Sequence, residues 1–568
     1  MFVFSEDFER RSLWFVHCRT PIFQSARKNV FHIQATHDDK VIPYTYFADF
    51  SHLRIDAEYG FIEFCLDPVD RMAIRGKGIG LRLTVDRPEG ACEGVLYKGG
   101  GAYELSFGAA GRSLYVPLEG TLSVSSAPGA DTPYENITLD FTPGADGALE
   151  AAVHEYMLER DRDERYKSFD DVRAESQRDY ELWCKNYRSA GDFEDTAAYA
   201  KFVIWSHRQG EGGNGIMKQA MIYMHRLWIC HAFAWQQSYN AMSMLNNTGE
   251  GWRLICSLFD FQHESGMLPG TVSHYEASYG TPQPAMQGFA IAHILANTDG
   301  SMLTYERCKR MYEPFARWAG YWLTYHASVE PDTLEYHNPN ESGWDDASVF
   351  FGSFPIQSPD LYSHIALLCE AVGRIAEGAG LYVEAGEWLE RSKRFINTLI
   401  KNHWNGEKFL PRLPSTGELV DAMSLVCYQP IMLGGRLPQD IIDKTAEALM
   451  REGEYLTDIG LAAESLKSPN CRFSNKFFVL GKIIAPLQMF ITVGLKSAGK
   501  VEEAREIARR WCRKVRKNGF ILGFAPLPTE LDGSEYPDPD RPSAGDTWSW
   551  ASWTAVCFLI VSTYVLGE

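Results

Sequence analysis

Apolar residues recur along this chain in two rhythms. Up to about residue 155 they form short runs, among them Phe61-Ile-Glu-Phe-Cys65, Gly80-Leu-Arg-Leu-Thr-Val85 and Ser113-Leu-Tyr-Val116, separated by Gly, Pro and Asp. Runs of that length bounded by turn residues predict antiparallel strands in a β-sandwich. Gly76-Lys-Gly-Ile-Gly80 lies among them with no helical pattern after it, so it predicts a hairpin turn and not a dinucleotide loop. From about 156 the apolar spacing becomes three and four. Glu159 to Tyr187 is long and charged, a predicted linker helix. Beyond it Leu303, Cys308, Met311, Tyr312, Phe315, Trp318 and Trp322 fall on one stripe. Val501, Ala504, Ile507, Ala508, Trp511 and Val515 form another, with Gly519 as its stop.

Roughly a dozen such segments without intervening strands predict six helical hairpins closed into an (α/α)6 barrel. No fixed sequence period recurs, which disfavours a repeat solenoid. The expected plan is mainly α: a β-sandwich over 1–155, a linker helix over 156–193 and a catalytic barrel over 194–568. Long irregular segments at 268–284, 330–359, 464–475 and 522–547 would gather as loops at one mouth, and loops of that length in compact domains tend to be functional.

Composition narrows the class. The formal net charge is −19 with no long basic cluster, which argues against nucleic acid and anionic membranes as partners. Twelve cysteines are scattered with no Cys-x-x-Cys pair, so neither a disulfide framework nor a zinc site is expected. The first residues, Met1-Phe-Val-Phe-Ser-Glu-Asp7, are acidic where a signal peptide is basic, and Thr554–Leu566 is too short to span a bilayer. A cytoplasmic protein is expected. The aromatic content (15 Trp, 27 Tyr, 32 Phe) suits a large core and also the stacking of sugar faces. His-Glu-x-x-His, Gly-x-Ser-x-Gly and Walker patterns are missing. His263, His274, His337 and His364 are the histidines that the mouth loops could gather, as acid–base groups or as satisfied structural residues.

The sharpest chemistry lies in His337-Asn-Pro-Asn-Glu-Ser-Gly-Trp-Asp-Asp-Ala347, where three carboxylates fall within six residues beside a Trp and a Gly. Glycosidic cleavage needs one protonated carboxyl to donate to the leaving oxygen and a second to activate water or attack. Crowded acids beside a ring raise one pKa by repulsion and desolvation. The same acids would also serve as a helix start opposing the dipole.

Glu341-Ser-Gly-Trp-Asp-Asp-Ala347 closely resembles the Glu-Ser-Gly-x-Asp-Asp signature of glycoside hydrolase family 63, and more loosely that of trehalases. Trp235-Gln-Gln-Ser-Tyr-Asn-Ala241, Thr281-Pro-Gln-Pro284 and Gly460-Leu-Ala-Ala-Glu-Ser465 resemble further segments of that family in the same order. The resemblance implies an (α/α)6 catalytic barrel, an inverting mechanism and Asp345 as the general acid, with Asp346 supporting it or binding sugar hydroxyls. Glu535, in Glu535-Tyr-Pro-Asp-Pro539 ahead of Ser549-Trp-Ala-Ser-Trp553, resembles the general base. Glu530 and Glu464 are the alternatives for that role. The expected sugar-binding set is Glu341, Trp344, Asp346, Trp228, Trp235, Gln236, Gln283, Glu464 and Trp548. Two positions depart from the family: Gln236 stands for a sugar-contacting Asp, and Val479-Leu-Gly481 for a Trp-Arg-Gly whose Arg faces the pocket.

The reading is therefore an exo-acting inverting glycosidase on an oligosaccharide or small glycoside, needing neither metal nor organic cofactor. A sugar epimerase or lyase on the same barrel, and a carbohydrate-binding protein without catalysis, are the rivals.

Overall fold

The computed structural model describes residues 2–7, 12–17, 29–66, 71–84, 94–107, 111–127, 136–160, 162–210, 215–225, 230–351, 354–472, 479–524, 526 and 551–567. Trp228, Glu530, Glu535 and Trp548 lie outside the described residues. Contacts divide the chain into two compact units, 1–184 with 205–231 and 273–276, and 185–204 with 232–272 and 277–568.

The first unit is built on two antiparallel sheets. One runs Phe2–Asp7, Ser12–His17, Asn29–His37, Gly80–Thr84, Asn136–Thr142, Thr121–Ala127, with Lys40–Ile42 paired to Asn29–His37. The other runs Gly94–Gly99, Ala102–Ser106, Arg112–Glu119, Ala148–Tyr156, Arg71–Lys77, Gly60–Leu66, His52–Ala57, Tyr44–Ala48. Alternate residues of both sheets share one core: Phe31, Ile33, Leu81, Leu83 and Leu139 from the first meet Ile55, Ile62, Phe64, Ile74, Tyr115 and Val153 from the second.

The expected hairpin at Gly76–Gly80 is corrected. Arg71–Lys77 and Gly80–Thr84 do not pair with each other but belong to different sheets, so the glycine run carries the chain from one sheet to the other. Ile79 is buried between them, which a solvated turn would not allow. Gly78 has φ +80°, and a Cβ there would approach the Tyr59 carbonyl to 2.1 Å. The charged helix is shorter than predicted, Phe169–Cys184. It begins where the Ser168 hydroxyl accepts the Asp171 N–H at 3.2 Å, and Asp170 and Asp171 in its first turn favour the dipole.

The second unit is helical. Tyr305–Tyr325 buries Cys308, Met311, Phe315, Trp318 and Trp322, and Val501–Asn518 buries Ala504, Ile507, Ala508, Trp511 and Val515 before ending at Gly519, φ +80°. The second stripe is the predicted one; in the first, Leu303 lies ahead of the helix and Tyr312 is only half-buried. Along the chain, one-faced helices of this kind (Thr248–Cys256, Tyr305–Tyr325, Tyr382–His403, Gln439–Leu449, Val501–Asn518) alternate with elements buried almost all round. The latter are Ala234–Ser243, Gln287–Asn297, Pro359–Gly378, the 3-10 segment Leu425–Arg436, Ala485–Ser497 and Ser552–Ile560. A helix apolar on every side needs neighbours on every side. Each of these buried elements packs on the next, and Ser552–Ile560 returns to Ala234–Ser243. No described helix is long and apolar enough to cross a membrane.

Candidate active site

The segment carrying Asp345 joins Tyr305–Tyr325 to Pro359–Gly378 and is fixed by its own polar side chains. Asn338 accepts the Asn340 N–H at 3.0 Å, and Glu341 reaches back to accept from the His337 N–H at 2.7 Å and the Asn338 amide at 3.1 Å. Ser342 donates to the Pro339 carbonyl at 2.6 Å and accepts the Trp344 N–H at 3.0 Å. Gly343 sits at φ +74°, and a Cβ there would come within 2.6 Å of the Trp235 ring. Only glycine meets both requirements, so this position sets how closely the segment lies against Trp235.

Trp344 is fully buried. Its indole N–H donates to the Gln429 side-chain oxygen at 2.9 Å, and its ring meets Trp235 edge-to-face at 5.4 Å and Phe490 at 6.1 Å. Asp345 behaves differently: its side chain is exposed and its carboxyl takes no hydrogen bond from another residue among those described. Protein around it still removes water, and that desolvation, reinforced by the Asp346 charge, raises its pKa. Asp346 accepts the Val479 N–H at 2.7 Å. Glu464 is buried with both oxygens occupied, one by the Ser348 hydroxyl at 2.7 Å and one by the Ser468 hydroxyl at 2.5 Å. Burial raises its pKa, and the two hydroxyls oppose that rise.

On the neighbouring helix, Trp235 is buried between Trp344 and Trp553. The Gln236 amide donates to the Ser552 hydroxyl at 2.6 Å, while its oxygen is buried without a partner among the described residues. A Cβ added at Gly270 would meet the Gln283 stem at 3.5 Å, the Gly270 carbonyl accepts the Ala234 N–H at 3.0 Å, and the Gln283 side-chain oxygen is likewise unpaired among them. The structure thus brings Trp235, Gln236, Glu341, Trp344, Asp345, Asp346 and Glu464 into one connected cluster, with Gln283 at one remove.

Sequence reasoning missed two members. Gln429 holds Trp344 from the Leu425–Arg436 segment. Lys482 is buried two residues past Leu480, which is itself buried. Desolvation lowers the Lys482 pKa to about 8 against the pull of Asp346. A cation therefore stands near the acid pair although position 480 is a leucine. The signal was present as a lone lysine in the apolar run Val479-Leu-Gly-Lys-Ile-Ile484.

The four histidines do not form one cluster. His263 is in an exposed turn with Ser265, His274 bonds Tyr223 in the first unit, and His364 is buried and bonded to Gln429. His337 stacks on His326, rings 4.7 Å apart and inclined at 14°. His326, His337 and Glu341 offer donor atoms within 4.8 Å of one another. A nitrogen lone pair lies in its ring plane, and planes so nearly parallel meet far from both rings. The Glu341 oxygens also already accept loop N–H groups, so the trio clamps the loop and does not converge on an ion.

A family model for the mannosylglycerate hydrolase MGH1-like glycoside hydrolase domain matches residues 231–550. No curated protein matches the chain. Among solved structures, a GH63 mannosylglycerate hydrolase from Thermus thermophilus in complex with Tris is 14% identical, with 64% of this chain and 99% of that chain covered and a TM-score of 0.51. A bacterial glucoamylase complexed with acarbose is 9% identical, covering 98% and 92%, with a TM-score of 0.59. A GH92 glycosyl hydrolase, ccman5, is 13% identical, covering 97% and 81%, with a TM-score of 0.53. At such identities these are likenesses of fold.

Proposed function

The chain belongs to the MGH1-like glycoside hydrolase family and is a glycosidase, and from that premise we propose an exo-acting, inverting hydrolysis of a small glycoside with Asp345 as general acid. The observation that carries the acid assignment is a contrast within one cluster. Glu341, Asp346 and Glu464 each accept protein hydrogen bonds, whereas the Asp345 carboxyl is exposed and, among the described residues, free of them. An acid that must give its proton to a substrate oxygen needs an accessible carboxyl, and the upward shift that desolvation and the Asp346 charge impose on Asp345 favours its protonated form.

In this reading the buried elements from Ala234–Ser243 to Ser552–Ile560 form the inner ring of an (α/α)6 barrel within 194–568. Glu535, with Glu530 as the alternative, activates water from across the pocket. Glu464, with both oxygens engaged, serves better as a clamp than as the base. Gln236, Gln283 and Asp346 are assigned to sugar hydroxyls, and Trp228, Trp235 and Trp548 to the walls. Trp344 lies beneath the site as support. Mannosylglycerate is the first substrate to try, followed by glucosides, galactosides, rhamnosides and disaccharides.

Proton NMR of the product formed during turnover tests the proposal. Inversion appears as initial release of the anomer opposite to that of the substrate, and Asp345→Asn abolishes it. Retention of configuration, or near-normal turnover by Asp345→Asn, overturns the mechanism.

A further inference from the structure

Behind the acid lies a chain of buried polar side chains with no evident packing purpose. Trp344, Gln429 and His364 come from three elements: the acid-bearing segment, the Leu425–Arg436 segment and the Pro359–Gly378 helix. All three are at most 1% exposed. The indole N–H can only donate, so the Gln429 atom facing it at 2.9 Å must be the oxygen. That fixes the amide: its nitrogen faces His364 Nε2 at 3.1 Å and donates there. Nε2 is then an acceptor, which places the imidazole proton on Nδ1 in a neutral ring. Burial lowers the His364 pKa to about 3, so the ring stays neutral across the working range. Phe490 closes the group, its ring meeting Trp344 at 6.1 Å and His364 at 5.8 Å, both near perpendicular.

Leucine or methionine at 364 and 429 would fill the same space without buried polar atoms. The Trp344–Gln429 and Gln429–His364 links are each directional and so fix geometry more sharply than apolar packing does, although the His364 Nδ1 at the far end is buried without a partner among the described residues. The directionality ends on Trp344, the residue before Asp345.

We propose that Gln429 and His364 are positioning residues that act through the Trp344 indole to hold Asp345 in the orientation its proton transfer requires. The proposal rests on the reading of Asp345 as the acid.

Gln429→Met keeps the volume and deletes the hydrogen bonds to Trp344 and His364, along with the weak amide contact to the Met432 sulfur, and Trp344→Phe breaks the first of these links from the other end. The substrate is mannosylglycerate, or the fastest glycoside of the panel if that one is inert. Each variant should lose between about 10- and 10²-fold in kcat/KM, carried by kcat, the scale expected when a reacting group is misplaced. The basic limb of the kcat/KM profile, which reports the acid, should move as the Asp345 carboxyl shifts relative to the Asp346 charge and the Lys482 cation near it. The double variant should lose little more than either single one, since both cut one chain. Losses that multiply, or a basic limb that stays put while only thermal stability falls, overturn the proposal. Should Gln429→Met not fold, the limb of Trp344→Phe decides alone. Asp345→Asn on the same substrate separates the two readings. If it stays active, the acid assignment fails whatever the cycle shows; if it is inert while the losses multiply, only the positioning role fails.

Discussion

The Glu341–Phe350 segment and the Ala234–Ser243 helix meet at Trp344 and Trp235, and they treat their polar atoms in opposite ways. In the segment Glu341, Ser342, Trp344, Asp346 and Ser348 are all tied to described protein groups, and Asp345 is not. On the helix the Gln236 oxygen, the Ser238 and Tyr239 hydroxyls and the Asn240 oxygen are buried without partners among the described residues. Leaving such a group unpaired costs about 1–3 kcal/mol, so a run of them in one helix calls for an explanation. Gln236, Tyr239 and Asn240 fall at i, i+3 and i+4 and so share a face. One side of the cluster is finished by the protein; the other is suited to polar groups that the described protein does not supply. The proposed acid and the proposed sugar-binding helix would have these different needs.

The comparison breaks most severely at its centre. Asp345→Asn removes the transferable proton and should cost at least about 10²–10⁴ in kcat on an unactivated glycoside, with the fold intact by circular dichroism. Gly343→Ala should destabilise by about 2–4 kcal/mol in thermal unfolding, from the positive φ together with the push on Trp235. A Tm shift of less than a degree would mean that the segment can lift off the helix freely. Ser348→Ala leaves Glu464 with one hydroxyl and should cost about 1–3 kcal/mol, with Ser468→Ala similar.

The wall should respond in selectivity, not stability. Gln236→Asp changes an acceptor and two donors into a carboxylate, so the ratio of kcat/KM between glucosides and other glycosides should change by about tenfold or more. An unchanged ratio would remove Gln236 from recognition. The smallest effect concerns stability against pH. The folded-state pKa of Asp345 is raised, so its ionised form is disfavoured in the fold and the penalty appears as pH rises through that pKa. Asp345→Asn should therefore melt slightly higher than wild type at neutral pH, with the gap closing in acid. A variant less stable at neutral pH would contradict it.

The helical stripes were legible because a period of three to four is local, and the three carboxylates within six residues stand out for the same reason. Gln429 was not legible, since nothing in Leu425-Val-Cys-Tyr-Gln-Pro430 shows that it will meet a tryptophan 85 positions away. Lys482 was readable only as an oddity, because its effect depends on burial beside Asp346. The glycine run at 76–80 was misread because pairing, not composition, separates a hairpin from a crossover, and pairing is a property of strands distant in sequence. Glu341 reads in the sequence as a third acid, yet its oxygens are taken up by the loop that bears it.

The return of Ser552–Ile560 to Ala234–Ser243 also dictates an order of assembly. The Gln236–Ser552 hydrogen bond joins residues 316 positions apart, and closing so long a span costs about 5 kcal/mol of chain entropy. Contacts of that range form late and slow folding. Until the last helix docks, the wall beside Trp235 lacks Trp553 and Ser552, so a chain emerging from the ribosome would complete its acid-bearing segment well before its recognition wall. Catalytic competence should then arise in a single late step, and refolding followed by substrate turnover should lag behind refolding followed by helix content.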